Sequence, residues 1–205
     1  TNSTFVGSPL ESSAALVFLG SNNNSDVHID SCSFSGYTGL TGAVRLGFFQ
    51  QPLRNVFISN TVFAGNQLQF NDSNTNNSTA LSSEVCPSPA LNAEAQGTVT
   101  FSDVTLSNNT LLCYGRNLSA LHIGGAGARV HASWLTLSEV TAVGNRLDVS
   151  GSAFHSDFDT LTVGGGAVLY ITHDGAVNAS AAVFNSTFIE NVVRAADAIS
   201  SAVKL

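Results

Sequence analysis

VFISNTVFAGN, residues 56–66, recurs in altered form along the whole chain. Its counterparts are VHIDSCSFSG (27–36), VTFSDVTLSNN (99–109), LTLSEVTAVGN (135–145) and AAVFNSTFIEN (181–191). NSTF at 2–5 matches NSTF at 185–188 and opens a sixth copy. Aligned on one anchor column, the copies place Phe5, Phe34, Phe63, Leu106, Ala142 and Phe188 together. Seven residues earlier stand Val27, Val56, Val99, Leu135 and Ala181, and five earlier Ile29, Ile58, Phe101, Leu137 and Val183. Three before the anchor the residue is polar throughout: Asn2, Ser31, Asn60, Asp103, Glu139 and Asn185. Three after it come Asn66, Asn109, Asn145 and Asn191. Agreement in this many columns is the mark of a repeat array.

The apolar pair at seven and five before the anchor is the alternation of a strand with one buried face. The polar column breaks that alternation as a corner would, and a second short strand carries the anchor. A further strand is expected in AALVFL (14–19), GAVRLGF (42–48), SALHIG (119–124) and GAVLYI (166–171). No single unit could bury its apolar face alone, so like residues must stack on like. The expected fold is an all-β parallel β-helix of about six coils, occupying residues 1–205 as one domain or as part of a longer one. Anchor spacings of 29, 29, 43, 36 and 46 residues put the excess into long loops at about 68–95 and 148–162. A β-sandwich also has many short strands but does not predict agreement column by column.

These motifs resemble those of the polymorphic outer-membrane-protein repeat family, marked by FxxN and by GGA followed by Ile, Leu or Val. FxxN stands as FAGN (63–66) and FIEN (188–191), with LSNN (106–109) and AVGN (142–145) as degenerate copies. GGAV stands at 165–168, with TGAV (41–44) and LSAL (118–121) as relatives. The resemblance runs over essentially the whole chain. It implies a right-handed β-helix at a cell surface, often adhesive, and no catalytic residues.

Composition narrows the function classes. The chain is 43% apolar and 10% charged, so it is no disordered tail. Seven basic against 14 acidic residues argue against nucleic acid and anionic membranes, and no apolar run is long enough to span a bilayer. N-glycosylation sequons begin at Asn2, Asn23, Asn71, Asn76, Asn77, Asn108, Asn117, Asn178 and Asn185, more than the composition alone would give. They point to a secreted, extracellular protein carrying N-glycans. Asn66, Asn109, Asn145 and Asn191 are expected to form a structural ladder satisfying backbone groups between coils. Cys86 and Cys113 are a candidate disulfide, and Cys32, in an inward column, is expected to be a buried free thiol. No metal site or cofactor follows, since there is no CxxC or CxxH.

Chemistry is weighed against that background. His155-Ser156-Asp157-Phe158-Asp159 could do acid–base work, as in β-helix enzymes that cut polysaccharides, but the cluster lies in a single loop. The arginines at 45, 54, 116, 129, 146 and 194 share no column in this alignment, whereas a polyuronate groove would want them aligned. GGAGARVHA (124–132) has Arg129 where a calcium-binding nonapeptide would have its Asp ligand, and GGGAV (164–168) lacks the Lys of a phosphate loop. His28, His122, His131 and His173 are given no role. The expectation is therefore a structural or adhesive surface protein, for instance a filament or appendage subunit. It would stack with itself or with neighbouring domains through its coil ends, and its ligand would be a surface carbohydrate or protein. The alternatives are a polysaccharide lyase or hydrolase, or a carbohydrate-binding module, which one Trp and three Tyr do not favour.

Overall fold

The structure is a computed structural model that describes residues 2–7, 16–18, 25–39, 42–47, 53–71, 85–86, 88–115, 122–123, 125–151, 160–163, 166–172 and 180–196. Among these residues every regular element is a strand and none is a helix. The strands form three main sheets, of nine, six and five strands, and a small two-stranded one. Among the described residues all strand pairings but one are parallel; Thr160–Val163 runs antiparallel to Val168–Thr172.

The first sheet holds the aligned repeats. Thr4–Val6, Asp26–Asp30, Ser33–Ser35, Asn55–Ala64, Thr98–Ser107, Trp134–Ser138, Thr141–Val143, Ser180–Phe184 and Thr187–Ile189 lie side by side. Phe5 faces Phe34, then Phe63, Leu106, Ala142 and Phe188, each the Cα partner of the next. The columns seven and five before the anchor are in register in the same way, as Val27, Val56, Val99, Leu135 and Ala181, and Ile29, Ile58, Phe101, Leu137 and Val183. Parallel pairing requires this, because a one-residue slip would turn every apolar side chain outward.

The anchors fill the core. Phe34 and Phe63 are buried, with ring centroids 5.2 Å apart, and Phe5 stacks on Phe34 at 4.8 Å. Burying one such ring contributes about 1.5–3 kcal/mol. At Leu106 the stack narrows, and Gly127 closes on it: a Cβ there would stand 3.1 Å from the Leu106 side chain.

Immediately after the asparagine column comes a second sheet, Thr38–Gly39, Gln67–Asn71, Thr110–Gly115, Arg146–Gly151 and Val192–Ala196. The third sheet contains Leu16–Phe18, Val44–Leu46, Leu91–Glu94, Ala128–Ala132 and Val168–Thr172. This corrects the sequence expectation in one unit. Of SALHIG only His122–Ile123 is described, and it pairs with Val85–Cys86, while Ala128–Ala132 takes the place in the third sheet expected for it. Strands also enter the ends of both expected long loops, at Gln67–Asn71 and Leu91–Glu94, and at Arg146–Gly151 and Thr160–Val163. The middles of those stretches, 72–84 and 152–159, lie outside the described residues. Leu91–Glu94 is buried at every position and so gives no alternation to read.

Candidate functional site

The corners come first, since they decide which side chains face water. Asn2, Ser31, Asn60, Asp103, Glu139 and Asn185 have φ of 54°, 53°, 48°, 53°, 57° and 44°. One column of polar residues is thus in the left-handed region, where Asn and Asp are the best tolerated non-glycine residues. A second left-handed corner follows the anchor: Gly36, Gly65, Asn108, Gly144 and Glu190 have φ of 69°, 63°, 53°, 65° and 54°. Glycines with positive φ also precede the third sheet at Gly42 and Gly166, in TGAV and GGAV. A Cβ on Gly42 would stand 2.2 Å from the Ser88 carbonyl oxygen, so the close approach requires glycine.

Between the two corners of the short strand the backbone is clamped by hydroxyls. Thr61 Oγ1 donates to Ser59 O at 2.6 Å and accepts from Cys32 N at 3.3 Å. Ser186 Oγ repeats this, donating to Phe184 O at 2.7 Å and accepting from Val140 N at 3.1 Å.

The asparagines after the anchor form a continuous row. Nδ2 of Asn66 donates to Asn109 Oδ1 at 2.9 Å, Asn109 to Asn145 at 2.9 Å, and Asn145 to Asn191 at 2.8 Å. Each Oδ1 also accepts the backbone N–H of the preceding asparagine, and each Nδ2 donates to a carbonyl of the preceding unit, at Phe34, Phe63, Leu106 and Ala142. Asn66, Asn109 and Asn145 are fully buried.

Three of the sequon asparagines are described with their side chains. Asn2, Asn108 and Asn185 are all exposed and all sit at left-handed corners. Asn108 and Asn109 are neighbours with opposite environments, one in water and the other in the ladder. Asn71 is described in its backbone only, as the last residue of Gln67–Asn71. Asn23, Asn76, Asn77, Asn117 and Asn178 lie outside the described residues.

Cys113 is disulfide-bonded, and Cys32 is a buried free cysteine whose Sγ donates to Asp30 O at 3.2 Å. The expected partner, Cys86, is described in its backbone only. The segment 155–159, which carries the acid–base candidates, lies outside the described residues, as do Lys204 and His173. Among the described residues no group of three or more His, Cys, Asp or Glu could hold a metal, and no helix is long and apolar enough to cross a membrane.

One cluster was hidden from sequence reading. Arg45, Asn92 and Arg129 are register partners on the third sheet, so two arginines do share a column. The insertion before Leu91 concealed this, because alignment by spacing cannot carry across residues added between strands. Arg129 Nη1 donates to Glu94 Oε1 at 3.0 Å with both side chains largely buried. Burial lowers the Arg45 pKa below its ordinary range, Glu94 raises it, and the charge of Arg129 lowers it. Asn92 closes a local clamp, accepting from Ser88 N at 2.7 Å and donating to Ser88 O at 2.8 Å. Arg129 is only 3% exposed, whereas Arg45 is half-buried.

Comparison with known protein families, with curated proteins and with solved structures finds no match to this chain.

Proposed function

We propose that the chain is a right-handed parallel β-helix of about six coils, and that it serves as an extracellular, N-glycosylated structural or adhesive surface protein. The three sheets of in-register parallel strands support the coil reading, since the chain visits them in the same order in successive units. The asparagine ladder supports rigidity, because it fixes the spacing of four neighbouring coils by buried bonds. The observation that carries the surface reading is the placement of Asn2, Asn108 and Asn185, exposed on corners where an attached glycan would meet water rather than core.

Among the described residues, Thr4–Val6 lies at one edge of the first sheet and Ser180–Phe184 at the other. Edge strands are where a further strand can add to a sheet. We assign them to pairing with further coils, of the same polypeptide or of a second copy. Catalysis and bound cofactors have no part in this reading.

The test is intact mass of the protein recovered from its natural source, before and after enzymatic removal of N-glycans, with peptide mapping. Loss of glycan mass with modified Asn2, Asn108 or Asn185 is expected. A naturally produced chain with no N-glycan at any sequon would overturn the extracellular glycoprotein reading.

A further inference from the structure

Aromatic side chains that the sequence scattered are gathered on the outer face of the first sheet. Trp134 is 45% exposed and Phe184 55% exposed, at outward positions of adjacent strands. His28 and Phe57, register partners, stack there with centroids 4.7 Å apart and planes 15° from parallel. Trp134 Nε1 donates to Thr136 Oγ1 at 3.2 Å, which satisfies the indole N–H and holds the ring along its own strand. Phe57, Thr100 and Thr136 form one row across three strands, so Phe57 and Trp134 are roughly 12 Å apart from strand spacing and rise per residue.

We propose that this face binds a neutral oligosaccharide, with Trp134, Phe184 and the His28–Phe57 pair as platforms for sugar rings. A sugar ring presents C–H groups on its faces and hydroxyls around its rim. The C–H faces pack on aromatic rings, and the rim needs donors and acceptors beside them. Here the spaces between the aromatics hold Thr100 and Thr136 in one row, and Ser59, Ser102 and Ser138 leading to Phe184 in the next. Hydroxyls both donate and accept, so they suit a rim of hydroxyls.

The same composition argues against a protein partner. Protein hot spots cluster in an apolar, desolvated centre. On this face the aromatics are separated by Ser and Thr. Charge argues against an acidic sugar: Asp26 and Asp30 stand on the face, and Arg54 beside them is paired to Asp26. The ligand class gives the adhesive part of the proposed function its target, and it rests on that reading only for placing the ligand outside the cell.

The chain of residues 1–205 would be titrated with neutral hexasaccharides of glucose, mannose, xylose and N-acetylglucosamine at millimolar concentration. The readout is fluorescence, which comes from one tryptophan and so reports this face alone. At least one hexasaccharide is expected to shift the emission. Calorimetry would show Trp134→Ala weakening that binding about tenfold and Phe184→Ala several-fold, with thermal midpoints unchanged. Val62→Ala, on the neighbouring short-strand face, should bind as the parent does. No response to any of the four, or a Trp134→Ala variant that binds as the parent does, would overturn the proposal. So would preference for a sulfated or uronic-acid hexasaccharide, or saturable binding of protein alone. The glycan-mass test reads a different property, so either proposal can fail while the other stands.

Discussion

Asn66 gives both its side-chain amide and its backbone N–H to a single oxygen, Asn109 Oδ1, at 2.9 and 3.1 Å. One amide thus serves two donors below it while its own Nδ2 serves a carbonyl and the next amide above. Asn109→Ala removes all of this from a fully buried position. The buried Asn66 N–H and one hydrogen of its Nδ2 lose their acceptor, and each orphaned donor costs about 1–3 kcal/mol. Urea denaturation should show a loss of about 3 kcal/mol or more. A loss under about 1 kcal/mol would mean water replaces the ladder at little cost.

The left-handed corner tolerates Glu139 at φ 57°, where a β-branched residue would crowd its own backbone. Glu139→Val is expected to lower stability by about 1–2 kcal/mol and Glu139→Asn to leave it level or raise it. Thermal unfolding of the two variants decides this; equal midpoints would show that the corner relaxes.

Glu94 and Arg129 are a buried ion pair. Removing one partner by Glu94→Ala leaves a buried guanidinium uncompensated, at about 3–5 kcal/mol. Replacing both together, as Glu94→Leu with Arg129→Met, should cost much less, because no charge is then left in the apolar surroundings. A double-mutant cycle with additive losses would contradict the pairing.

Asp26 has its pKa lowered from 3.8 to about 2, chiefly by the hydrogen bond from Arg54. A depressed carboxylate binds its proton less readily in the folded chain than in the unfolded one. Its contribution is therefore in place above about pH 4 and is lost as pH falls through about 2. Asp30, lowered chiefly by its hydrogen bond with Ser59, acts in the same direction. Between those two pH values the midpoint of the parent should fall more steeply than that of Asp26→Asn. Parallel curves would show that solvent screens the pair completely.

Cys32 is buried and free while Cys113 is bonded. A thiol reagent should leave the native chain unlabelled and modify one cysteine after denaturation without reductant. Peptide mapping should then find Cys86 joined to Cys113. Reduction should lower stability by about 3 kcal/mol, as for a loop of this size. Labelling of three thiols in the unreduced, denatured protein would contradict the bond.

Much of the first sheet was legible because its strands have one buried face. The buried Val56, Ile58, Thr61 and Phe63 alternate in part with more exposed neighbours, and the columns they head are the observed Cα partners. The polar column before the anchor was legible for a second reason: left-handed backbone selects short polar side chains, and that preference survives in five of its six residues, with Glu139 the exception. The second left-handed column was missed, since Gly65, Asn108 and Glu190 share a conformation but no obvious chemistry.

Local periodicity and corner preference are properties of neighbours in the chain, so the sequence by itself determined the all-β class, the anchor register and the asparagine row. Leu91–Glu94 and Ala128–Ala132 carry little of that signal, being buried almost throughout, and inserted residues of unequal length separate them from their units. Only the tertiary structure could align Arg45 with Arg129 and bury Glu94. These relations join strands whose partner residues are 35 or more apart, and they are set by how the sheets stack rather than by spacing along the chain.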